Sequence, residues 1–328
     1  MNNILVTGGA GYIGSNIIEL LLKEKNKIFI IDNLSTGYKK LINKKVKFYK
    51  IDINKYDNVR KIILDNKIDT VIHLAASISI EESNKNPKKF YNNNVNGTES
   101  LVKACKKSLV KNFIFSSTAA VYKDTEKKVD EKSILKPKSI YGKTKIKAEK
   151  LISKHFKKEK INYAILRYFN VVGASPSNLV GPIKKNDTLL KNISSSFLKK
   201  KPTFNVYGKN YKTKDGSCIR DFIHVYDLSK IHILVLKKIK KNNKSVILNC
   251  GYGKGVSVLE VINGFSKYLK IKPKIIYKSK RPGDLAVSIS ENKKLRSYIK
   301  WKPKFYLLNN IIKNCIKWEK KLINFPTI

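Results

Sequence analysis

Two residues of this chain, Tyr141 and Lys145, are spaced to act as a proton-transfer pair. They are four residues apart at the start of a segment, 141–158, whose pattern predicts a helix, so both side chains lie on one helix face. A lysine beside a phenol stabilises the phenolate and lowers the pKa of the tyrosine, which favours a general base near neutral pH. Because lysine is abundant throughout the chain, this spacing needs support from the surrounding elements.

A glycine-rich stretch, TGGAGYIG at 7–14, indicates a site for a phosphate-containing ligand. Its glycines follow an apolar run typical of a buried parallel strand and precede a helical pattern that extends to about Lys25. In that context Gly8 allows a tight turn, Gly11 lets a pyrophosphate approach the helix N-terminus, and Gly14 lets the helix pack closely on the strand. Taken alone, the glycines are also compatible with a tight turn that binds nothing.

An acidic residue extends the pattern to a dinucleotide. The predicted second strand, 27–31, ends at Asp32, which is 18 residues after Gly14. A carboxylate at this position accepts hydrogen bonds from the adenosine ribose hydroxyls, and it repels a 2′-phosphate. The sequence therefore favours NAD over NADP as the cofactor.

The elements that must position these residues alternate between strand and helix. Strands are predicted at 3–7, 27–31, 46–51, 69–74 and 113–117, and helices at about 12–25, 55–66, 87–107 and 141–158. The alternation predicts an α/β fold with a Rossmann-type, doubly wound parallel sheet. We expect residues 1–170 to form the NAD-binding domain, to which the chain returns around 221–250, and residues 171–328 to form mainly a smaller substrate-binding lobe.

The formal net charge of +45 does not indicate a polyanion partner. The 64 lysines are spread over the whole chain, mixed with Asn and Ile, as an AT-rich coding sequence supplies them. We therefore predict neither a nucleic-acid nor a membrane partner. In such a background the five arginines are more informative, because a guanidinium provides a planar fork that an ammonium group cannot replace.

Cysteine usage and hydropathy predict a cytoplasmic protein. The four cysteines are scattered without a CxxC spacing, which fits a reducing compartment, and neither they nor the four histidines show a metal-ligand spacing. No apolar run reaches the ~18 residues of a membrane span, and the N-terminal residues indicate a strand rather than a signal peptide.

The ordered motifs of the chain resemble those of the extended short-chain dehydrogenase/reductase superfamily and, within it, the UDP-glucose 4-epimerase family. The matching stretches are TGGAGYIGS (7–15), IDNLSTG (31–37), DTVIHLAA (69–76), NNVNGT (93–98), FSSTAAVY (115–122), YGKTK (141–145), RYFNVVGASP (167–176), DGSCIRDFIHVYDL (215–228), LNCGYGKGVSV (248–258) and RPGD (281–284). The resemblance implies NAD-dependent 4-epimerisation of a UDP-hexose, UDP-glucose or UDP-galactose, through a transient 4-keto sugar.

The resemblance also implies a role for particular residues. Tyr141 is the implied base for the sugar 4-hydroxyl, Lys145 is its activator and a ligand of the nicotinamide ribose, and Thr118 holds the 4-oxygen. Residues implied in cofactor binding are Gly8, Gly11, Tyr12, Ile13, Gly14, Asp32, Asn33, Asp52, Ile53, Leu74, Ala75, Ala76, Asn93, Ser116, Tyr141, Lys145 and Tyr168. Residues implied in substrate binding are Thr118, Asn170, Asn205, Val206, Tyr207, Arg220, Arg281, Asp284 and Ser288.

Within the substrate set, Arg220 and Arg281 are implied to clamp the diphosphate, which agrees with the bidentate preference of arginine for phosphate. Asp284 is implied to bind ribose hydroxyls, and the segment 205–207 to pack on the uracil. The residue four positions after Asp284 bounds the pocket around the sugar C2 substituent in this family. Here it is the small Ser288, so we expect UDP-N-acetylhexosamines to be accepted as well.

Two positions depart from the family's pattern. Ile78 stands where many of these epimerases have a lysine that helps to hold the cofactor pyrophosphate, so Ser77 or the backbone is expected to substitute. The segment 177–190 ends in DTLL (187–190) where relatives have an Asn-Leu or His-Leu pair, which leaves its substrate contacts open. Relatives dimerise through helices that correspond to 87–107 and 139–158, so we expect a homodimer and exposed apolar faces on those helices.

Other interpretations stay open. Nucleotide-sugar 4,6-dehydratases carry an Asp-Glu pair directly after the active-site Thr, whereas Thr118 is followed by two alanines, which cannot transfer protons. A UDP-uronate epimerase or decarboxylase is harder to exclude. From other classes, a non-catalytic NAD-binding regulator would lack the Tyr–Lys pair, and a nucleic-acid binder would show steep salt dependence.

Overall fold

The computed structural model describes residues 2–183, 188–281 and 284–323. Its strands, in chain order, are β1 (Asn3–Thr7), β2 (Lys27–Ile31), β3 (Lys47–Tyr49), β4 (Thr70–His73), β5 (Asn112–Thr118), β6 (Asn162–Tyr168), β7 (Asn170–Val172), β8 (Thr203–Tyr207), β9 (Ile219–His224), β10 (Val246–Cys250), β11 (Gly255–Ser257), β12 (Lys274–Lys278) and β13 (Val287–Ser288). Its helices are α1 (Tyr12–Leu21), α2 (Tyr56–Asp65), α3 (Ile80–Lys85), α4 (Pro87–Tyr91), α5 (Gly97–Cys105), α6 (Ile140–Lys158), α7 (Leu189–Phe197), α8 (Val225–Asn242), α9 (Val258–Leu269), α10 (Lys293–Ile299) and α11 (Leu308–Ile323).

A seven-stranded sheet in the order β10-β6-β5-β4-β1-β2-β3 forms the centre of the molecule, and its neighbouring strands are all parallel. The order of the strands reverses between β1 and β4. This is the doubly wound α/β sheet that the sequence predicts. In such sheets ligands bind beyond the carboxyl ends of the strands at the point of reversal.

The sheet is buried on both faces, which explains the apolar runs of its strands. In β1, Ile4, Leu5 and Val6 are completely buried. Ile4 and Val6 belong to a core shared with α1 and α8, whereas Leu5 belongs to a second core shared with α2, α5 and α6. Because successive side chains of a strand point to opposite faces, a parallel strand between two helical layers must be apolar at every position.

The predicted elements are confirmed, with differences at their ends. The third strand is shorter than predicted and covers only Lys47–Tyr49. The helical stretch 87–107 consists of two helices, α4 and α5, joined by a π-helical turn at Asn92–Asn96. Insertion of a π turn is a common distortion next to functional sites.

The later part of the chain adds β10 to the edge of the main sheet and forms two small sheets. In one of them β9 pairs with β7, β11 and β13, and in the other β12 pairs with β8. Helices α7, α9 and α11 pack on one another beside these sheets. Within the described residues, no helix combines the length and the apolar character that crossing a bilayer requires.

The expectation of exposed apolar faces on the predicted dimer helices is wrong. None of the large hydrophobic side chains that are exposed in the described chain belongs to α5 or α6. The outer surfaces of these two helices carry exposed lysines instead, namely Lys103, Lys143, Lys147, Lys150 and Lys154. Lysine, which is abundant throughout the sequence, therefore covers this surface as well.

Three buried histidines make the fold sensitive to acid. Burial lowers the pKa of His73 to about 3, and the pKa values of His224 and His232 to about 4. In the unfolded chain a histidine titrates near ~6.5, so acid adds protons to the unfolded state first. The stability that these residues contribute is therefore complete above pH ~6.5 and is lost as the pH falls from there towards ~4.

We predict that the free energy of unfolding falls by about 2 kcal/mol per buried histidine between pH ~7 and ~5. Denaturant titration at both pH values measures it. A His155→Gln variant serves as the control, because His155 is only half-buried on α6, and its pH dependence should remain close to that of the natural protein. Equal stability at both pH values would refute the assignment.

Candidate active site

The glycine turn after β1 has the geometry that a closely bound pyrophosphate requires. Gly8 has a φ of +72°, and a Cβ there would lie 2.7 Å from the backbone nitrogen of Ala75. A Cβ on Gly14 would lie 2.4 Å from the carbonyl oxygen of Gly8, so the helix could not approach the turn. Gly11 is the residue directly before α1, and the helix has no capping side chain and no acidic residue in its first turn. The N-terminus of α1 is therefore suited to an anionic group.

Asp32 lies directly after β2 and is 8% exposed. Its two carboxylate oxygens accept hydrogen bonds from the backbone nitrogens of Ala10, at 3.0 Å, and Leu34, at 2.8 Å. Burial raises the pKa of this carboxyl, and the two hydrogen bonds oppose the shift. Each oxygen keeps a further lone pair, so the geometry fits acceptance of two ribose hydroxyls.

A second carboxylate lies near Asp32 beyond β3. Asp52 accepts hydrogen bonds from the side chain of Asn33, at 2.8 Å, and from the backbone and side chain of Asn54. Burial acts to raise the pKa of Asp52, but these hydrogen bonds outweigh it and the net pKa is lowered. The adjacent Ile53 is buried, and its side chain packs on Gly97 at the start of α5.

The opposite side of the glycine turn is formed by the segment after β4. The backbone nitrogen of Leu74 donates to the carbonyl of Thr7, and Ala75 and Ala76 follow half-buried. Ser77 then bonds to the π-helical turn, since its hydroxyl accepts from Asn93 at 3.0 Å and its backbone pairs with Asn94. The side chain of Ile78 is 63% exposed and carries no group that could replace the ammonium of a lysine.

Thr118 and Tyr141 meet at the carboxyl end of β5. Thr118 is the last residue of β5, and its hydroxyl accepts from the backbone nitrogen of Ala120 at 3.2 Å. Tyr141 lies in the first turn of α6, which Ser139 caps by accepting from the backbone nitrogen of Gly142. The Tyr141 phenol faces the Thr118 hydroxyl, which acts to lower the pKa of Tyr141 against the effect of burial. Two hydroxyls so arranged can hold one substrate oxygen and exchange a proton with it.

Lys145 is 2% exposed and does not lie directly on the phenol. Its Nζ donates to the carbonyl of Ser116 at 2.7 Å and lies 6.0 Å from the centroid of the Tyr141 ring. Burial lowers the pKa of Lys145 to about 7, against the effect of Glu149, and burial raises the pKa of Tyr141 to about 12. The expected lowering of the tyrosine pKa is therefore not present in the protein alone, because desolvation of the phenolate outweighs the opposing effect of the Thr118 hydroxyl.

Tyr168 lies beside Thr118 on the neighbouring strand. Its hydroxyl is 2.6 Å from Nε2 of His232 on α8, and Nδ1 of that ring lies 2.8 Å from the Leu228 carbonyl. Since a carbonyl only accepts, Nδ1 carries the ring proton and Nε2 accepts from Tyr168. Burial raises the pKa of Tyr168, so this tyrosine is a buried neutral donor.

Four of the predicted substrate residues form one cluster on the small sheets. Nη2 of Arg220 lies 3.6 Å from the carboxylate of Asp284. The Asp284 backbone nitrogen donates to the carbonyl of Arg281. The guanidinium of Arg281 lies 3.7 Å from the centroid of the Tyr207 ring, which is a cation–π contact. Two guanidinium groups beside an aromatic ring fit a nucleoside diphosphate.

The remaining substrate residues have different surroundings. Asn170 is half-buried on β7, Asn205 is exposed on β8, and Ser288 pairs in register with Arg220. Val206 is 2% exposed and points into the core, so only its backbone is available to a ligand. The strand alternation that exposes its neighbours buries it.

Parts of two sequence predictions lie outside the described residues: 184–187 in the segment 177–190, and 282–283 in the RPGD stretch. Of the DTLL run, Leu190 is completely buried at the start of α7. The two halves of the site are joined by Tyr12, whose hydroxyl donates to the carbonyl of Gly173 at 2.5 Å, and Ile13 beside it is half-buried against the core.

Sequence reasoning did not predict a buried ion pair behind Thr118. Glu149 of α6 and Arg167 of β6 are joined at 2.7 Å between Oε2 and Nη2, and their side chains are 5% and 2% exposed. The Ser117 hydroxyl donates to the same carboxylate. Two signals were present in the sequence, namely the scarcity of arginine and the position of Glu149 one helical turn after Lys145.

Comparisons with known proteins agree with this geometry. Residues 4–251 match the profile of the NAD dependent epimerase/dehydratase family. The chain is 40% identical over 319 residues to the UDP-glucose 4-epimerase of Lactobacillus helveticus, with 97% of each chain covered.

Among solved structures it is similar to the UDP-Glc/GlcNAc 4-epimerase of Campylobacter jejuni, with a TM-score of 0.84, 38% identity and 98% and 100% of the two chains covered. It is also similar to the UDP-glucose 4-epimerase of Bifidobacterium longum in complex with NAD+ and UDP, with a TM-score of 0.91, 31% identity and 98% and 99% covered. The chain therefore belongs to the NAD dependent epimerase/dehydratase family.

Proposed function

We propose that this protein is a nucleotide-sugar 4-epimerase that interconverts UDP-glucose and UDP-galactose with NAD as its cofactor. The observation that carries the proposal is the meeting of Tyr141, in the first turn of α6, with Thr118 at the end of β5 beside the buried Lys145. The relatives named above, with nearly full coverage of both chains, are 4-epimerases of UDP-sugars and support the same reaction.

In this proposal the side chains at the strand end move one proton. Tyr141 accepts the proton of the sugar 4-hydroxyl, Thr118 holds the 4-oxygen, and the charged form of Lys145 stabilises the phenolate. NAD, which the glycine turn at 7–14 and Asp32 would hold, would supply the acceptor for the C4 hydride and its donor when the hydride returns to the other face of the 4-keto sugar. The positive charge of its nicotinamide ring would also favour the phenolate, which the protein alone disfavours.

Epimerisation requires that the 4-keto sugar rotate to present its other face while the nucleotide stays bound. The cluster of Arg220, Arg281, Tyr207 and Asp284 provides this second attachment, because it can hold the diphosphate and the base independently of the sugar. We assign the uracil to the segment 205–207 and the ribose to Asp284. The remaining residues predicted from the sequence keep their proposed cofactor and substrate roles.

A 4,6-dehydratase is less compatible with the site. Elimination of water needs acid and base groups beside the active-site threonine, whereas Ala119 and Ala120 follow Thr118. Both of these side chains are methyl groups, which neither donate nor accept a proton. Uronate epimerisation and decarboxylation are distinguished by the products of the assay below.

We further propose a division into an NAD-binding domain, 1–170, and a substrate lobe, mainly 171–328. A cytoplasmic location is supported by the four cysteines, which are all free and buried.

A homodimer through α5 and α6 would bring two lysine-covered faces together, so added salt should favour it by screening their repulsion. Sedimentation at two ionic strengths tests this proposal.

The reaction itself is tested with the purified protein and no added cofactor. We expect UDP-glucose to be converted to UDP-galactose, because NAD copurifies, and the released cofactor to be NAD rather than NADP, since Asp32 would face a 2′-phosphate. Product analysis by chromatography and enzymatic identification of the cofactor measure both. UDP-glucuronic acid is offered in a parallel reaction. Absence of UDP-glucose epimerisation, a product that has lost the elements of water, or turnover confined to the uronic acid would overturn the proposal.

We predict that Tyr141→Phe lowers kcat by a factor of at least ~10², the scale of losing a general base. Folding and NAD content should change little, because the ring remains and only the hydroxyl is lost. Tyr163→Phe, a half-buried tyrosine at the other end of the main sheet, is the control for loss of a hydroxyl. Nearly normal turnover by Tyr141→Phe would remove Tyr141 from the mechanism.

We propose that UDP-N-acetylglucosamine is also a substrate. Ser288 is a small residue, and the similar Campylobacter jejuni enzyme is named for both sugars. Placing a ring where the acetamido group must fit costs ~1–3 kcal/mol of overpacking, so Ser288→Tyr should lower kcat/KM for the N-acetyl sugar ~10-fold or more relative to UDP-glucose. Competing measurements on both sugars decide it, and an unchanged ratio would contradict the proposal.

A further inference from the structure

A buried ion pair lies directly behind the strand end that carries Thr118. Arg167 of β6 donates to both oxygens of Glu149, from Nε at 3.1 Å and from Nη2 at 2.7 Å. Arg167 is opposite Ser117 in the β5–β6 register, and Glu149 is on α6. The pair therefore connects the helix that carries Tyr141 with two strands of the sheet.

Helix α6 holds β5 at two consecutive residues. The ammonium group of Lys145 donates to the carbonyl of Ser116 at 2.7 Å, and the hydroxyl of Ser117 donates to Glu149. Thr118 is the next residue of the strand. Since Lys145 and Glu149 are one helical turn apart, the two contacts fix the position of Thr118 relative to Tyr141 on the first turn of the helix.

The same carboxylate acts on the charge of Lys145. Its negative charge favours the ammonium form, against the effect of burial. The other titratable groups that face this region are Tyr141 on α6, His73 on β4, Tyr122 shortly after β5, and Arg167 and Tyr168 on β6. His73 is neutral and the three tyrosines are protonated, because burial shifts their pKa values in those directions.

We propose that Glu149, held in place by Arg167, is a positioning residue for proton transfer. It fixes the positions of Tyr141 and Lys145 relative to Thr118, and it keeps Lys145 charged. This inference rests on the proposed epimerase function. The inference gives Ser117 the same role, because its hydroxyl donates to the Glu149 carboxylate and so connects that carboxylate to β5.

The chain contains a matched control for a purely structural role. Lys191 of α7 and Glu319 of α11 form a second buried ion pair, 2.7 Å between Nζ and Oε2, with side chains 4% and 6% exposed. A serine hydroxyl, that of Ser194, donates to Glu319 at 3.2 Å, just as Ser117 donates to Glu149. The second pair connects helices of the lobe and contacts neither β5 nor α6 in the described chain.

The experiment compares Glu149→Gln with Glu319→Gln, with melting temperature as the measure of stability. Both variants should melt lower. Only Glu149→Gln should lose ~10-fold or more in kcat at neutral pH, with KM for UDP-glucose and the NAD content within ~2-fold of the natural protein. The acid limb of its kcat profile should shift to higher pH, because a less charged Lys145 raises the pKa of Tyr141.

Ser117→Ala and Ser194→Ala repeat the comparison with smaller changes, in case loss of a buried charge prevents folding. We expect Ser117→Ala to lower kcat and Ser194→Ala to leave it unchanged. Unchanged kcat and acid limb in Glu149→Gln, or equal shifts in both members of a matched pair, would overturn the inference.

One measurement separates this inference from the proposed function. Titration of the Lys145 ammonium group by NMR of lysine-labelled protein, read as the difference between each protein and the same protein carrying Lys145→Met, needs no substrate. Glu149→Gln should lower the pKa of Lys145 below that in the natural protein, because the carboxylate favours the ammonium form, whether or not UDP-hexoses react. A pKa of Lys145 equal in both proteins would refute the role of Glu149 even if epimerisation is observed.

Discussion

The burial of one ammonium group constrains the arrangement of the whole proton-transfer site. Lys145 is 2% exposed, and an isolated charge removed from water to that degree is costly unless it is compensated. The compensation comes from the carbonyl of Ser116, from the face of the Phe115 ring 4.8 Å away, and from the carboxylate of Glu149. Two of these three groups are on β5. The helix must therefore lie at a fixed register on the strand, and Tyr141 and Thr118 come together as a consequence.

Burial disfavours the charged forms of both Tyr141 and Lys145, so it raises the pKa of the tyrosine and lowers the pKa of the lysine. A lone phenolate or a lone ammonium group is disfavoured there, but a phenolate beside an ammonium group carries no net charge and has a smaller desolvation cost. The two groups should thus titrate as a coupled pair rather than one by one. Such coupling explains why a tyrosine with a raised pKa can still serve as a base once a substrate hydroxyl and a cationic cofactor ring complete the site.

Local signals in the sequence predicted the strands, the glycine turn and the acidic end of β2, because each depends on neighbouring residues and on a fixed period. Local signals did not predict the surroundings of a side chain where more distant parts of the structure decide them. The alternation of β8, for example, turns the side chain of Val206 into the core and leaves only its backbone for a ligand. The π turn at Asn92–Asn96 leaves the helical period almost unchanged and is invisible as a pattern. The Glu149–Arg167 pair joins segments that only the β5–β6 pairing brings together.

For the charged residues, too, abundance in the sequence is less informative than geometry in the structure. With 64 lysines, a general positive potential surrounds the whole molecule and cannot by itself select a ligand. Selection requires groups with a fixed shape, and three of the five arginines provide them. Arg167 binds one carboxylate through two nitrogens, Arg281 lies flat over Tyr207, and Arg220 contacts its own strand and Asp284 with different nitrogens. A lysine could supply the charge at each of these places but neither the fork nor the plane. At these three positions the geometry of the guanidinium group, and not its charge alone, makes the contacts that the structure shows.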